Sequence, residues 1–219
     1  ATEMRAQFLI IMNLMRRAGF IDISIPRLLS EKMESMKISL AREGDPFANR
    51  RFPNILDMIG AEFNGAALRI STIYPKGGVA RRNASSLVDF ASRYTGILRL
   101  QVSINSTDET YRDKFASPNS VPFSVISDLG AIWQEKVDKP SAMGGVINLN
   151  ITAHKDTPCE PTDEFMLLFP NYRFAIRLRR LLLTEDTASN GWERLSDQDI
   201  ADKKIAFEEK GYVVLDAST

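Results

Sequence analysis

The chain has 219 residues, of which 44% are hydrophobic and 26% charged, as in an ordinary globular domain with a sizeable core. Its formal net charge is zero, so no overall field favours nucleic acid or a membrane surface. The single cysteine, Cys159, excludes an internal disulfide and a cysteine-only metal site within these residues. There is no apolar run of about 18 residues, so a transmembrane helix is excluded. Charged residues such as Glu3 and Arg5 do not fit a secretory signal, and we expect a cytoplasmic protein.

Helix and strand signals alternate along the chain. Apolar spacing and caps predict helices at 2–18, 52–63, 83–94, 121–137 and 196–209, with a short helix between the fourth and fifth strands. Strands are predicted at 36–41, 66–74, 97–104, 145–152, 173–183 and 212–216. Six strands alternating with helices imply parallel pairing and right-handed crossovers, hence a doubly wound sheet or a barrel.

Polar residues cluster where these strands end. The third strand runs into Asn105-Ser106-Thr107-Asp108, and α/β enzymes place such groups at the carboxyl edge of the sheet, where ligands bind. Because there is no glycine-rich phosphate loop, the pattern favours a zwitterionic, nucleoside-like ligand over a phosphate. Three other strands end in similar groups: Arg42-Glu43-Gly44-Asp45-Pro46, Ser71-Thr72-Ile73-Tyr74, and the series Asn148, Asn150, Thr152 and His154.

Three segments, EGDPFANRRFPNILDMI, LRISTI and LRLQVSINSTDETYRDKF, resemble the radical S-adenosylmethionine (SAM) enzymes. The sequence is most similar to the branch containing the RNA adenine methyltransferases, whose third motif is a Ser-Leu-His strand end followed by Asn-Asp-Glu-x-Arg. The likeness continues through INLNIT, HKDTPCEP, RFAIRLRRLL and EKGYVVLDAST. It implies one α/β domain over 1–219, a partial (β/α)6-type barrel whose first strand is missing, and SAM as cofactor.

The resemblance carries five cofactor-binding residues onto this sequence. Gly44 and Asp45 match the Gly-Glu-Pro motif that holds the methionine amino group. Ser71 matches a serine at the end of the next strand. Ser103 and Asn105 match a serine and a histidine that contact SAM, so we expect them at its carboxylate or ribose.

The chain also departs from the family pattern. Asp45 is one methylene shorter than the glutamate of the motif, and Asn105 replaces a histidine and cannot act as a base. Where the family has an asparagine at the end of its penultimate strand, this chain has Arg177 and Arg179. These differences concern the RNA substrate more than the SAM site.

The family's CxxxCxxC cysteines are absent from these residues. We expect them, with the first strand, upstream of Ala1, so that the chain is an excerpt that is inactive alone and carries no metal ligand itself. In the intact protein the resemblance implies a reduced [4Fe–4S] cluster, fed by an electron donor, that cleaves SAM to a 5′-deoxyadenosyl radical, for RNA methylation or another radical reaction.

The arginines of RFAIRLRRLL suggest an anionic substrate. Alternation puts Arg173, Arg177 and Arg179 on one face of the strand, where they need carboxylates or ligand anions as partners. RNA is the partner that the resemblance suggests, and Arg177 and Arg179 are the substrate-binding candidates. Internal pairing with Glu43 or Asp45 is the alternative.

Two other functions stay open at this point. An aldolase-type barrel could form a Schiff base on Lys76 or Lys155 if either lysine is buried. A barrel that has lost its cluster could be a non-enzymatic scaffold. His154, the only histidine, could take part in catalysis or be a loop residue, and Cys159 is interpreted as structural.

Overall fold

The computed structural model describes residues 6–7, 36–41, 44–137, 145–182, 184–185, 189 and 191–215. The predicted helix at 2–18 lies outside these residues, except for two helical residues at 6–7. Arg42 and Glu43 also lie outside them.

Six strands form one sheet in which every neighbouring pair is parallel and the strand order follows the chain. Because each crossover moves the chain one strand further in the same direction, the sheet has barrel-type rather than doubly wound connectivity. All six predicted strands are confirmed. The strands are β1 Lys37–Leu40, β2 Ala67–Thr72, β3 Leu98–Ser103, β4 Ile147–Ala153, β5 Phe174–Arg180 and β6 Val214–Leu215.

The predicted helices between the strands are also present. They are α1 Phe52–Glu62, α2 Gly78–Arg93, α4 Phe123–Lys136, α5 Asp163–Leu168 and α6 Asp197–Glu209. Helix α2 begins five residues before the predicted start, because Gly77 takes a φ of 122° and Gly78 opens the helix. Three short turns were not predicted: a 3₁₀ turn at Pro46–Ala48, α3 at Glu109–Tyr111 and a π turn at Arg112–Ala116. No helix of the described residues is long and apolar enough to span a bilayer.

The two faces of the sheet differ in polarity. Alternate apolar residues of the strands, such as Leu68, Leu100 and Ile176, belong to the buried core that the helices cover. The intervening residues point to the opposite side, which we call the polar face. It carries Ser39, Arg69, Ser71, Arg99, Gln101, Ser103, Asn148, Asn150, Thr152, Arg177 and Arg179.

Candidate active site

The loop after β1 is fixed in place by one carboxylate. Asp45 caps the 3₁₀ turn by accepting from the backbone N–H of Phe47 at 2.8 Å. It also accepts from the Thr72 hydroxyl, at 2.7 and 2.9 Å to its two oxygens, and from the Ile73 N–H at 2.7 Å. Gly44 precedes it with a φ of 78°, which glycine adopts without strain. The Gly44-Asp45 turn is therefore joined directly to the end of β2.

A second polar side chain supports the same loop from behind. Asn83 of α2 is buried and donates to the carbonyls of Phe47 and Asn49, at 2.9 and 2.8 Å. These contacts satisfy two carbonyls of the turn that helix geometry leaves open. A cavity of about 680 Å³ adjoins this loop, lined among others by Ser39, Gly44 and Asp45.

The predicted serines lie on the polar face of the next two strands. Ser71 donates to Gln101 Oε1 at 3.0 Å, and the register pairs Ser71 with Gln101 and Ser103 with Asn150. The Oδ1 atom of Asn150 is buried and has no hydrogen-bond partner among the described residues. A free acceptor therefore lies beside Ser103 at the carboxyl end of the strands.

Asn105 turns the chain at the end of β3. Its φ is 57°, a left-handed conformation that asparagine tolerates better than most residues. The backbone N–H donates to the Asn150 carbonyl at 3.1 Å, and Nδ2 lies 3.4 Å from the Ser117 hydroxyl. The left-handed turn holds the side chain at the edge of a cavity of about 280 Å³.

An aromatic cluster lines the same cavity, and the sequence had singled out only its histidine, His154. His154 is 6% exposed, and its ring stacks on Trp192 with centroids 5.0 Å apart and planes 8° from parallel. Tyr111 Oη lies 2.6 Å from His154 Nε2, and Phe115 packs on Tyr111. These residues lie far apart in the chain: Tyr111 in α3, His154 at the end of β4 and Trp192 in the segment before α6. Only the fold brings them together.

The hydrogen bonds also indicate the proton position on His154. The Asp156 N–H can only donate, and it lies 3.3 Å from Nδ1. Nδ1 therefore accepts, and the neutral ring carries its proton on Nε2 and donates it to Tyr111 Oη. Burial lowers the pKa of His154, partly opposed by the charge of Asp156. In this arrangement the Tyr111 hydroxyl proton is free to meet a ligand in the cavity.

Both lysines considered for Schiff-base chemistry are exposed. Lys76 donates to the Pro118 carbonyl at 3.1 Å. Lys155 pairs with Glu193 at 2.8 Å, and this hydrogen bond and charge raise the pKa of Lys155. A Schiff-base lysine needs a lowered pKa in a desolvated site, so the geometry gives this alternative no support.

Cys159 has a structural environment. It is fully buried, and burial raises the pKa of its thiol to about 12. The reactive form of cysteine is the thiolate, which this environment suppresses. No group of three or more His, Cys, Asp or Glu side chains within the described ranges is arranged to hold a metal ion.

The three arginines predicted to share one face of β5 have different environments. Arg177 is 9% exposed, whereas Arg179 is exposed. The prediction that Arg173 shares their face is wrong, because Arg173 precedes the strand and donates to Gln134 of α4 at 2.9 Å. The alternative of pairing with Asp45 finds no contact, since the Asp45 carboxylate binds the turn and β2.

Two solved structures are similar to this chain. A domain of pyruvate-formate lyase-activating enzyme from Bacteroides vulgatus matches with a TM-score of 0.54 at 15% identity, over 84% of this chain and 99% of that one. A radical SAM methyltransferase from Sphaerobacter thermophilus matches with a TM-score of 0.56 at 16% identity. That match covers 83% of this chain and 50% of the methyltransferase, so the chain spans half its length. No family model and no curated protein matches the chain.

At this level of identity the similarity concerns the fold. The parallel pairing, the sequential strand order and these two neighbours agree with one another. The chain has an α/β fold with a six-stranded parallel sheet, consistent with a partial (β/α) barrel and similar in fold to these two neighbours.

Proposed function

We propose that this chain is the SAM-binding barrel of a radical SAM enzyme. The observation that carries the proposal is the carboxyl edge of β1, β2 and β3, where the five predicted residues lie at or just beyond the ends of three neighbouring parallel strands. Active sites of parallel α/β barrels lie at this edge. The fold of the two structural neighbours supports the same assignment.

The residues at this edge have groups that complement SAM. Gly44 and Asp45 offer backbone carbonyl oxygens to the methionine ammonium group, while the Asp45 carboxylate holds their loop in place. Ser103 and Asn105 offer a hydroxyl and an amide to its carboxylate. The unpartnered Oδ1 of Asn150 is an acceptor for a ribose hydroxyl. Held in this way, SAM would be oriented by groups from the loop after β1, from the end of β3 and from β4.

An iron–sulfur cluster needs ligands of another kind, because a [4Fe–4S] cluster is held by several thiolates. The chain contains one cysteine, and that cysteine is buried and protonated. These residues therefore do not fit a cluster. In our proposal its ligands come from outside the 219 residues, and the part played by this chain is to bind and orient SAM.

The aromatic cluster beside Asn105 has a role in this proposal. One wall of the cavity of about 280 Å³ is formed by Trp192, Phe115 and the neutral ring of His154, and it would shield part of a bound ligand from water. Such shielding protects reactive intermediates from side reactions. The Tyr111 hydroxyl, held by His154, is a donor that can orient a ligand.

Transfer of a methyl group to RNA is a finer prediction than the fold supports. Of the two predicted contacts, Arg179 is exposed but Arg177 is buried, and Arg180 is paired with Asp197. RNA and the electron donor stay predictions from the resemblance. The non-enzymatic scaffold stays the main alternative to the enzyme.

Binding of labelled SAM, measured by equilibrium dialysis on the full-length protein with its cluster reconstituted, tests the proposal. The informative variant is Asn105→Gly, which removes the amide without straining the left-handed turn. We expect its affinity for SAM to fall about tenfold, equivalent to about 1.4 kcal/mol. Asn64→Gly is the control, since Asn64 is exposed and accepts hydrogen bonds from Thr95 on the surface. Absence of SAM binding, or equal affinity in Asn105→Gly, would overturn the assignment.

A further inference from the structure

Four arginines occupy the polar face of the sheet. Arg69 of β2 and Arg99 of β3 are register partners, and Arg177 and Arg179 follow on β5 beside Asn150 and Thr152 of β4. All four fall on the alternate positions that face away from the helix-covered core. The sequence had singled out only the β5 pair.

None of the four arginines forms an ion pair among the described residues. The Nε atoms of Arg99 and Arg177 are buried and have no hydrogen-bond partner in the same part of the chain. Buried guanidinium groups ordinarily find an acceptor, because an unpaired buried charge is costly. The polar face therefore has two charged donors without a partner.

The charged groups that act on Arg177 within the described part of the chain are all cationic. Burial lowers the pKa of its guanidinium, and the charges of Arg179, Arg69 and Arg99 lower it further. No carboxylate of the described residues opposes this effect. Arginine remains protonated even so, so the four side chains repel one another until an anion enters.

A neutral acceptor lies between the arginines. Asn148 of β4 is 1% exposed, and its Oδ1 has no partner among the described residues. Asn148 is the register partner of Gln101, two residues beyond Arg99, and of Ala175, two residues before Arg177. A ligand here would meet cationic donors and an amide acceptor, so it would carry both anionic groups and a hydroxyl or amino group.

We infer that the polar face binds the substrate, a small molecule with two or more negative charges, carried by phosphate or carboxylate groups. Guanidinium forks match both kinds of group in a bidentate manner. The inference rests on the proposed function, because it places the substrate in the barrel below the SAM edge. The burial of Arg177 favours a small anion over an RNA strand.

Titration of the full-length protein at low salt with inorganic pyrophosphate and, separately, with citrate tests this inference, by calorimetry and thermal shift. Binding of either raises the melting temperature of the wild type, and the preferred probe separates phosphate from carboxylate. Arg99→Met keeps the length of the side chain but removes its charge, and we expect it to weaken binding about tenfold. Arg82→Met, on the exposed side of α2, keeps wild-type affinity.

A second readout separates binding from misfolding. Because the arginines repel one another, Arg99→Met in the absence of anion should melt at or above the wild-type temperature. A lower melting temperature without anion, no binding of either probe, or unchanged affinity in Arg99→Met would overturn the inference. An RNA oligonucleotide would also overturn it if it bound more tightly than both probes and if Arg99→Met reduced its affinity by the same factor. SAM binding without anion binding refutes this inference alone, whereas anion binding without SAM binding refutes the proposed function.

Discussion

At the scale of single residues, the site depends on side chains whose partners lie far away in the chain. Asp45 reaches Thr72 and Ile73, 27 and 28 residues further on, and Tyr111 reaches His154 across 43 residues. Such contacts couple the geometry of the site to the folding of the barrel. Substitutions at these positions should therefore change stability as well as ligand binding.

Asp45→Ala tests this coupling. The substitution leaves two backbone N–H groups and the Thr72 hydroxyl without their acceptor. We expect the free energy of unfolding in urea to fall by about 2–4 kcal/mol, because bonds to a charged acceptor are the stronger ones. Asp57→Ala is the matched control: Asp57 is 68% exposed and pairs with Arg93 at 3.4 Å. Its loss should cost about 0–1 kcal/mol, and equal effects of the two substitutions would contradict the account.

His154 gives the folded protein a pH dependence. Burial lowers its pKa below the usual 6.5, so between these two pKa values the unfolded chain binds a proton that the folded protein does not. The free energy of unfolding therefore falls as the pH drops through about 6.5 and levels off below the lowered pKa.

The comparison of wild type with His154→Gln isolates this effect. Urea unfolding at about pH 7.5 and about pH 5.5 should show a smaller loss of stability in the variant, because glutamine does not titrate. The difference between the two proteins removes the contribution of the carboxylates. An equal loss in both proteins would mean that the imidazole is not held neutral by its surroundings.

At the scale of elements, the helices pack closely on the apolar face of the sheet. Gly130 of α4 lies against the Phe174 ring of β5, and a Cβ built there would come within 2.8 Å of Phe174 Cε2. The ring is fully buried and edge-packed on Phe169, so it has no free space to move into. This contact sets the distance between α4 and the sheet.

Gly130→Ala should therefore destabilise the protein despite the better helix propensity of alanine. Overpacking costs about 1–3 kcal/mol, which outweighs a propensity gain of about 1 kcal/mol. Gly78→Ala is the control: Gly78 begins α2 and a Cβ there would have nothing within 4 Å. Thermal unfolding should show a lower melting temperature for Gly130→Ala and an equal or higher one for Gly78→Ala. A melting temperature for Gly130→Ala at or above the wild-type value would contradict this packing.

Elements were predictable where a local signal defines them. The helix at 196–209 was predicted from its cap, and the structure shows a capping box between Ser196 and Asp199 at the start of α6. The turn from Glu109 to Ala116 was not predicted, because its residues are charged and have no helical apolar spacing. Arg69 and Arg99 were not singled out, since an isolated charge on an alternating strand is typical of a solvated face.

At the scale of the whole molecule, parallel pairing follows from the alternation of helices and strands, whereas the sequential strand order agrees with the barrel that the resemblance implied. The sequence also indicated the edge at which β1, β2 and β3 end in polar groups. It could not show that Asp45 holds β2 or that His154 lies between Tyr111 and Trp192, because crossover geometry determines these contacts. The concentration of four arginines on the polar face likewise depends on strand register.

The central claim is that this barrel binds SAM for radical chemistry. The most direct measurement is the formation of 5′-deoxyadenosine by the natural full-length protein, reconstituted anaerobically with iron and sulfide and reduced with dithionite in the presence of SAM. We predict that 5′-deoxyadenosine forms and that its amount falls in Asn105→Gly but not in Asn64→Gly. A folded, reconstituted protein that leaves SAM intact would contradict the account and favour a scaffold without radical chemistry.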